Sequence, residues 1–394
     1  MKLVEYLLVV FSIITSGSLI YMTHNDDLIL IFYFLFSVAS FIIFKVKHFN
    51  KFFFYYALLV VSFLIVHHLC VSTSATLNKY IGTIIKVLTF LLVITIIGKK
   101  RLLIIYPQTM FVLCSFNLIF YLDHVYFFSI SQPLSSLFSQ LTTWSLNMYY
   151  ENYVFYVKPV YSVTFDKVQT NFIKNSGIFG EGGLYQYFVC IALTINLFFN
   201  KKSIFDYYNL IFIISIITTY STVAYINLFF IIIAKTYDPE KRILFFLMSP
   251  LILGGAYIFF NLPTIYNKLF NINSMDFIIS TQRRMLDTFL DLKIIQDQPL
   301  LGIGLDNIEI YKSYVNQYSA GGESSSNGLL NYIAGVGIIG AFISLYPFFM
   351  FGIKSKKKFM LMLCNIFSGL SQGIIMTPVF FLSMSLLYTK KARS

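Results

Sequence analysis

The chain has 394 residues, of which 57% are hydrophobic and only 12% charged, and its mean hydropathy is +0.74. A soluble domain carries roughly a quarter charged residues. This chain has too few to coat a water-facing surface, so a soluble enzyme, a disordered chain and a fibre are excluded and a polytopic membrane protein remains. Lysine and arginine number 29 against 17 acids, a formal net charge of +12. In this setting that excess is loop charge that sets topology, not a nucleic-acid surface.

The apolar runs are unbroken and near twenty residues, too long for barrel strands of about ten. The expected fold is an all-α integral membrane protein, one polytopic domain over 1–394. In chain order, helices are predicted over 3–22, 28–44, 52–71, 81–97, 102–122, 183–199, 207–218, 222–234, 243–260, 329–351, 359–370 and 378–388, about twelve spans. The first run is long enough to stay as a span and has no small-residue cleavage site. The stretch 207–234 is read as two short helices, because one long helix would put its flanking lysines on opposite sides.

With both termini cytoplasmic, every short basic cluster falls on one face. These are Lys45, Lys47 and Lys51; Lys99, Lys100 and Arg101; Lys201 and Lys202; Lys235, Lys241 and Arg242; Lys354, Lys356, Lys357 and Lys358; and Lys390, Lys391 and Arg393. Cys70, Cys114, Cys190 and Cys364 lie in or beside apolar runs without CxxC spacing, so neither a disulfide nor a zinc site is expected.

Two polar segments, 123–182 and 261–328, form long loops on the outer face, and long loops of this kind are usually functional. In the second, 278–295 has helical periodicity, with Met285, Phe289 and Leu292 on one stripe and Pro299 as the stop. This predicts an amphipathic helix lying in the membrane surface. Arg283 and Arg284 stand one turn before Asp287, either as a surface ion pair or as guanidinium forks for a lipid-linked phosphate.

The first loop ends in Ser176-Gly177-Ile178-Phe179-Gly180-Glu181-Gly182-Gly183, with a helix starting at once and Lys174 just before it. That is an anion site or a plain glycine-rich entry loop. Glu181, a carboxylate at the membrane boundary, is a candidate base. Glu323 and Ser326, in Gly321-Gly322-Glu323-Ser324-Ser325-Ser326-Asn327-Gly328, either face the same outer cavity or belong to a capped lead-in. His67 and His68 are headgroup-boundary residues or a proton relay, and Lys86 is placed to snorkel to the outer surface. No Walker loop, HExxH, GxSxG or DxD pair is present, so ATP hydrolysis and metal-dependent glycosyl transfer lack support.

Together these stretches resemble the O-antigen polymerase and ligase family. The matching pieces are Ser176-Gly177-Ile178-Phe179-Gly180-Glu181, then Arg283-Arg284 before an amphipathic helix. Pro299-Leu300-Leu301-Gly302-Ile303-Gly304-Leu305 follows, then Ser326-Asn327-Gly328-Leu329-Leu330 running into Gly335-Val336-Gly337-Ile338-Ile339-Gly340. Ligases carry a histidine before the asparagine of the last motif. Here Ser326 stands there, which disfavours a ligase and a base at that position.

The resemblance implies an enzyme of the inner membrane that joins repeat units carried on undecaprenyl pyrophosphate. Donor and acceptor are both lipid-linked glycans, and the surroundings are membrane lipids. The pyrophosphate leaving group supplies the activation, so no cofactor or metal is implied. Arg283, Arg284 and Lys174 are the implied pyrophosphate-binding cations, and Glu181 or Glu323 is the candidate base. A chain-length regulator and a flippase would be separate partners, with no nucleic acid. A lipid-linked-oligosaccharide flippase and an O-antigen ligase are the alternatives. Against the flippase, neither repeated halves nor helices broken at mid-membrane are legible.

Overall fold

Apolar residues occupy opposite faces of the same helices, the pattern of a bundle bathed in lipid. The computed structural model describes residues 2–18, 21, 26–44, 50–71, 77–127, 150–152, 157–159, 174–237, 282–318 and 325–388. The first helices are α1 (Lys2–Ile14), α2 (Asp26–Ile43), α3 (Lys51–Val71) and α4 (Leu77–Leu122), the last running into a π-helical turn, Asp123–Phe127. Strands β1 (Tyr150–Asn152) and β2 (Val157–Pro159) form a short antiparallel ladder. Then come α5 (Gly182–Thr194) with a π turn at Ile195–Phe199, α6 (Tyr207–Thr218), α7 (Thr222–Thr236), α8 (Arg283–Asp297) and α9 (Ile308–Gln317). The last three are α10 (Gly328–Gly352), α11 (Lys356–Ser371) and α12 (Pro378–Leu387).

Among the described residues, four helical stretches are long and apolar enough to cross a membrane: Lys51–Val71, Leu77–Phe127, Gly182–Phe199 and Gly328–Gly352. α6, α7, α12 and most of α2 are apolar but shorter. The expected span 243–260 lies outside the described residues. On α3, Phe53, Val60 and Leu64 are buried while Leu58, Leu59 and Leu69 are exposed, so a lipid-facing stripe backs onto a packed one.

A straight α4 of 46 residues would be about 69 Å long, twice a hydrocarbon core of about 30 Å. Gly98 breaks it, with φ 69° and ψ 156°. Before the break Phe90 stacks on Phe381 of α12 at 5.3 Å. After it, Tyr106 donates to the Phe188 carbonyl of α5. The neighbouring Tyr187 shares Asn365 with Ser383 of α12. Both arms therefore pass the same level of the bundle, and the chain doubles back at Gly98, as the predicted pair 81–97 and 102–122 requires.

Two expectations on helix ends resolve differently. α6 and α7 are separate, with Tyr220 between them at φ 48°. α1, however, stops at Ile14 instead of running to 22. Thr15, Ser16, Gly17 and Ser18 turn the chain there, and the Ser16 hydroxyl accepts from the Val379 N–H at the start of α12, 3.0 Å away. A polar turn thus satisfies a helix-end donor that lipid cannot.

α5 is the central helix, buried along almost its whole length between α4, α6, α7 and α11. Apolar packing alone has little driving force in lipid, and interhelical hydrogen bonds add specificity. Gln186 of α5 and Asn227 of α7 both donate to Ser368 of α11, and Asn227 also donates to Gln186. Cys114, Cys190 and Cys364 are buried free thiols in this core, and Cys70 is an exposed one.

The bundle has two unlike ends. At one, Lys99 donates to the Leu386 and Tyr388 carbonyls that end α12, and Arg101 pairs with the buried Glu5 at 2.6 Å. Lys235 donates to the Leu197 carbonyl, and Lys357 lies 5.5 Å over the Phe199 ring. Lys99 and Lys235 cap helix C-termini, where the dipole favours them, while Arg101 meets its partner in the first turn of α1. Phe52 at the start of α3 stacks on Tyr388 here. The far end of α3 carries His67 to the opposite end, where the motif-bearing loops gather.

Candidate functional site

α10 was expected as one continuous helix over 329–351. It is broken at Gly337, with φ 69° and ψ 178°, so a broken helix is present after all. The break frees backbone groups, and the Pro299–Gly304 loop takes them up. Ile303 N–H donates to Ala334 O and Gly304 N–H to Gly335 O. Beyond the break, Ile338 N–H donates to Pro299 O and Ile339 N–H to Leu300 O, all at 2.8–3.3 Å. A Cβ on Gly337 would sit 2.1 Å from the Leu300 carbonyl oxygen, so only glycine permits this approach. The Pro-Leu-Leu-Gly-Ile-Gly stretch is thus a backbone partner for an opened helix.

His67 fixes the loop from the other side. Its Nε2 lies 2.5 Å from the Leu301 carbonyl and its Nδ1 2.6 Å from the Tyr80 hydroxyl. Leu305 N–H donates to that hydroxyl at 3.2 Å. Both ring nitrogens are used in holding the chain.

α8 turns two of its three carboxylates inward. Asp287 and Asp291 are buried beside Leu290 and Ile294, while Met285, Phe289 and Leu292 are exposed. Asp287 Oδ2 accepts from Ser326 N–H at 2.9 Å, and Asp291 Oδ2 accepts from the Ser325 hydroxyl at 2.7 Å. Asn327 caps α10 through Leu330 N–H. Burial pushes the Asp291 carboxyl up to about 7, with the nearby Asp287 adding to the rise and the Ser325 hydrogen bond opposing it. Burial likewise raises Tyr311 of α9.

Two motifs converge at Gln372. Its Nε2 donates to Glu181 Oε1 at 2.9 Å, and its backbone carbonyl lies against Gly328, where a Cβ would come within 1.9 Å. The Ser176–Gly183 loop therefore reaches the start of α10 through the α11–α12 turn. Asn175 anchors that loop by donating to Asn117 and Thr218.

Between these parts lies a cavity of about 260 Å³. Lys79, Lys86 and Thr83 of α4 line one wall, and Ser325, Gly328 and Asn331 the facing one. Asp27, Asp306 and Gly373 also border it. Lys79 pairs with Asp306 at 3.7 Å, both half-exposed, a contact worth under about 1 kcal/mol. Lys86 lies 5.7 Å from the centre of the Tyr21 ring. The N-terminus of α10 ends on this cavity, so the helix dipole adds positive potential to the two lysines.

The sequence-predicted residues distribute unevenly. Lys86 does reach the cavity, and Glu181 reaches its border through Gln372. Arg283 and Arg284 stand on the exposed first turn of α8, one turn from Asp287; neither they nor Lys174 line this cavity. Among the described residues no ion pair joins either arginine to Asp287, whose carboxylate is turned to Ser326. Glu323 lies outside the described residues. Gln372, Asp291 and Ser325 were not singled out from sequence. Asp287 and Asp291 gave one signal, an i, i+4 carboxylate pair opposite an apolar stripe.

Residues 207–345 match the family model Wzy_C, described as O-antigen ligase. The match spans α6 to α9 and the broken start of α10, so the paired loop, Asp287, Asp291 and Ser325 all lie in it, whereas Lys79, Lys86, Glu181 and Gln372 lie outside. This stretch is thus similar to an O-antigen-ligase-type domain, in line with the resemblance, within a helical protein that has four stretches long and apolar enough to cross a membrane. Members of this family are glycosyltransferase-like enzymes acting on lipid-linked sugars. No curated protein gives a significant match to the chain.

Proposed function

We infer that the chain is a polymerase joining undecaprenyl-pyrophosphate-linked repeat units on the outer face of the bacterial inner membrane. The observation that carries this reading is the cavity that sets two lysines against the N-terminus of α10, at the end of the bundle opposite the basic cluster. Positive charge gathers in cytoplasmic loops, so the basic end, and with it both termini, is assigned to the cytosol and the cavity to the outer face. Lys86 and Lys79 hold the donor's pyrophosphate as negative charge develops on it. Met285, Phe289 and Leu292 seat α8 in the membrane surface, which sets Arg283 and Arg284 at headgroup level for the second phosphate or the acceptor's carrier. Lys174 supports them, and Glu181 holds Gln372 against α10. The Ser326 position, a histidine in ligases, favours the polymerase over the ligase.

The test is chain extension with purified protein and lipid-linked repeat units, with no nucleotide or metal added. The expected result is a glycan ladder with undecaprenyl pyrophosphate released. Transfer only to a lipid core would favour the ligase. A second reading, a flippase, has the broken α10 in its favour; vesicles in which the lipid-linked substrate crosses the bilayer unconsumed would support it instead.

A further inference from the structure

Ser325 stands on the cavity wall, and its hydroxyl ties that wall to α8. It donates to Asp291 Oδ2 at 2.7 Å and accepts from Asn327 N–H at 3.0 Å. A hydroxyl has one donor and two lone pairs, so one lone pair is left, with the Tyr311 hydroxyl of α9 as its neighbour. Asp291 behind it is fully buried, and among the described residues its Oδ1 has no hydrogen-bond partner. A buried carboxylate with an unsatisfied oxygen costs stability unless it serves some other end.

We propose that Ser325 is the catalytic hydroxyl that takes the proton of the attacking sugar hydroxyl, and that Asp291 is the positioning residue that receives the Ser325 proton in turn. The inference rests on the glycosyl-transfer reading of this cavity. The acceptor oxygen forms a bond to the donor's anomeric carbon, and its proton passes to Ser325 Oγ. The original Ser325 proton passes to Asp291 Oδ2. The bond from the anomeric carbon to the phosphate oxygen breaks, and its electron pair leaves on the pyrophosphate. No oxidant, metal or nucleotide is involved.

The surroundings of Asp291 suit this task. Asp287 on its own helix disfavours its ionisation, and Tyr311 faces both carboxylates from α9, with the Arg283 charge also in reach of that ring. α10, packed against α8, has no charged residue. With its carboxyl pushed up to about 7, Asp291 can accept a proton near neutrality, where an ordinary carboxylate is too weak a base.

The experiment measures release of undecaprenyl pyrophosphate from a lipid-linked repeat unit, at saturating substrate, between pH 5.5 and 8.5. Wild-type, Asp291→Asn, Ser325→Ala and Ser325→Thr proteins are compared, with donor binding measured in parallel. Asp291 must be ionised to act, so wild-type turnover should rise with pH through about 7. Asp291→Asn and Ser325→Ala should each lose about 10²–10⁴-fold in turnover with donor binding unchanged. The residual activity of Asp291→Asn should show no acid limb, and Ser325→Thr should stay within about tenfold of wild type.

A raised carboxyl makes the folded state less stable as pH climbs from about 4 to 7. Asp291→Asn should therefore be no less heat-stable than wild type above pH 7, whereas a tie serving only to hold the loop predicts a loss. Wild-type turnover or a surviving acid limb in Asp291→Asn would overturn the proposal. Should that variant lose donor binding, the Ser325 pair decides: Ala inactive with Thr active supports it, and Ala active overturns it. If the wild type releases pyrophosphate but transfers only to a lipid core, the polymerase reading fails and the relay is judged on that transfer by the same readouts.

Discussion

Gly98 and Gly337 break two helices with nearly the same backbone, φ 69° with ψ 156° and φ 69° with ψ 178°. Their surroundings are opposite. A Cβ on Gly98 would meet nothing within 4 Å, and one on Gly337 would collide with the Leu300 carbonyl. The first break is a hairpin turn at the basic end, needed because α4 is too long for one crossing. The second opens α10 to pair with a loop and so shapes the cavity. The same dihedral angles serve topology in one place and the site in the other, and what lies next to the glycine tells them apart.

Substitution sharpens that contrast. The largest effect is expected from Gly337→Val, which adds a collision with backbone to a strain of about 1–3 kcal/mol for a side chain in that region. Chain extension should disappear and the yield of monodisperse protein in detergent should fall. His67→Leu comes next. It removes the ring that meets the Leu301 carbonyl and the Tyr80 hydroxyl, each costing about 1–3 kcal/mol if left unsatisfied. A lowered melting temperature, with looser protection of 299–305 in hydrogen exchange, is the readout. Gly98→Ala should be smallest, backbone strain of about 1–3 kcal/mol without a collision, with extension retained in whatever fraction folds. If Gly98→Ala abolished extension at full folded yield, or Gly337→Val left it intact, the distinction between the two breaks would fail.

Much of the helical pattern was legible, because lipid demands long apolar runs and these are written plainly in the chain. The split of α6 from α7 followed from where lysines must lie, and α4's two arms followed from the Gly98-Lys99-Lys100-Arg101 break. The early end of α1 was hidden, since Thr15, Ser16 and Ser18 are tolerated within membrane helices and only the partner N–H of Val379 shows their use.

The site was half legible. Its motifs were seen, and Lys86 was expected at the outer surface, yet the arginines drew attention because charge stands out in an apolar chain. Gln372 carries no charge and sits in a short turn, so nothing marked it as the hinge between Glu181 and Gly328. Asp291 is masked in the sequence by the apolar stripe of α8, which carries the stronger periodic signal. In a helix lying on a membrane that stripe faces lipid, and Asp287 and Asp291 turn inward.

The central claim, that the cavity lined by Lys86 extends a lipid-linked glycan, is tested most directly by the banding pattern of surface glycan. The cells compared would carry the wild-type chain, no chain, or Lys86→Met in its place. The account predicts a ladder for wild type and a core bearing one repeat unit in the other two. A core with no repeat unit, or a full ladder without the chain, would contradict it.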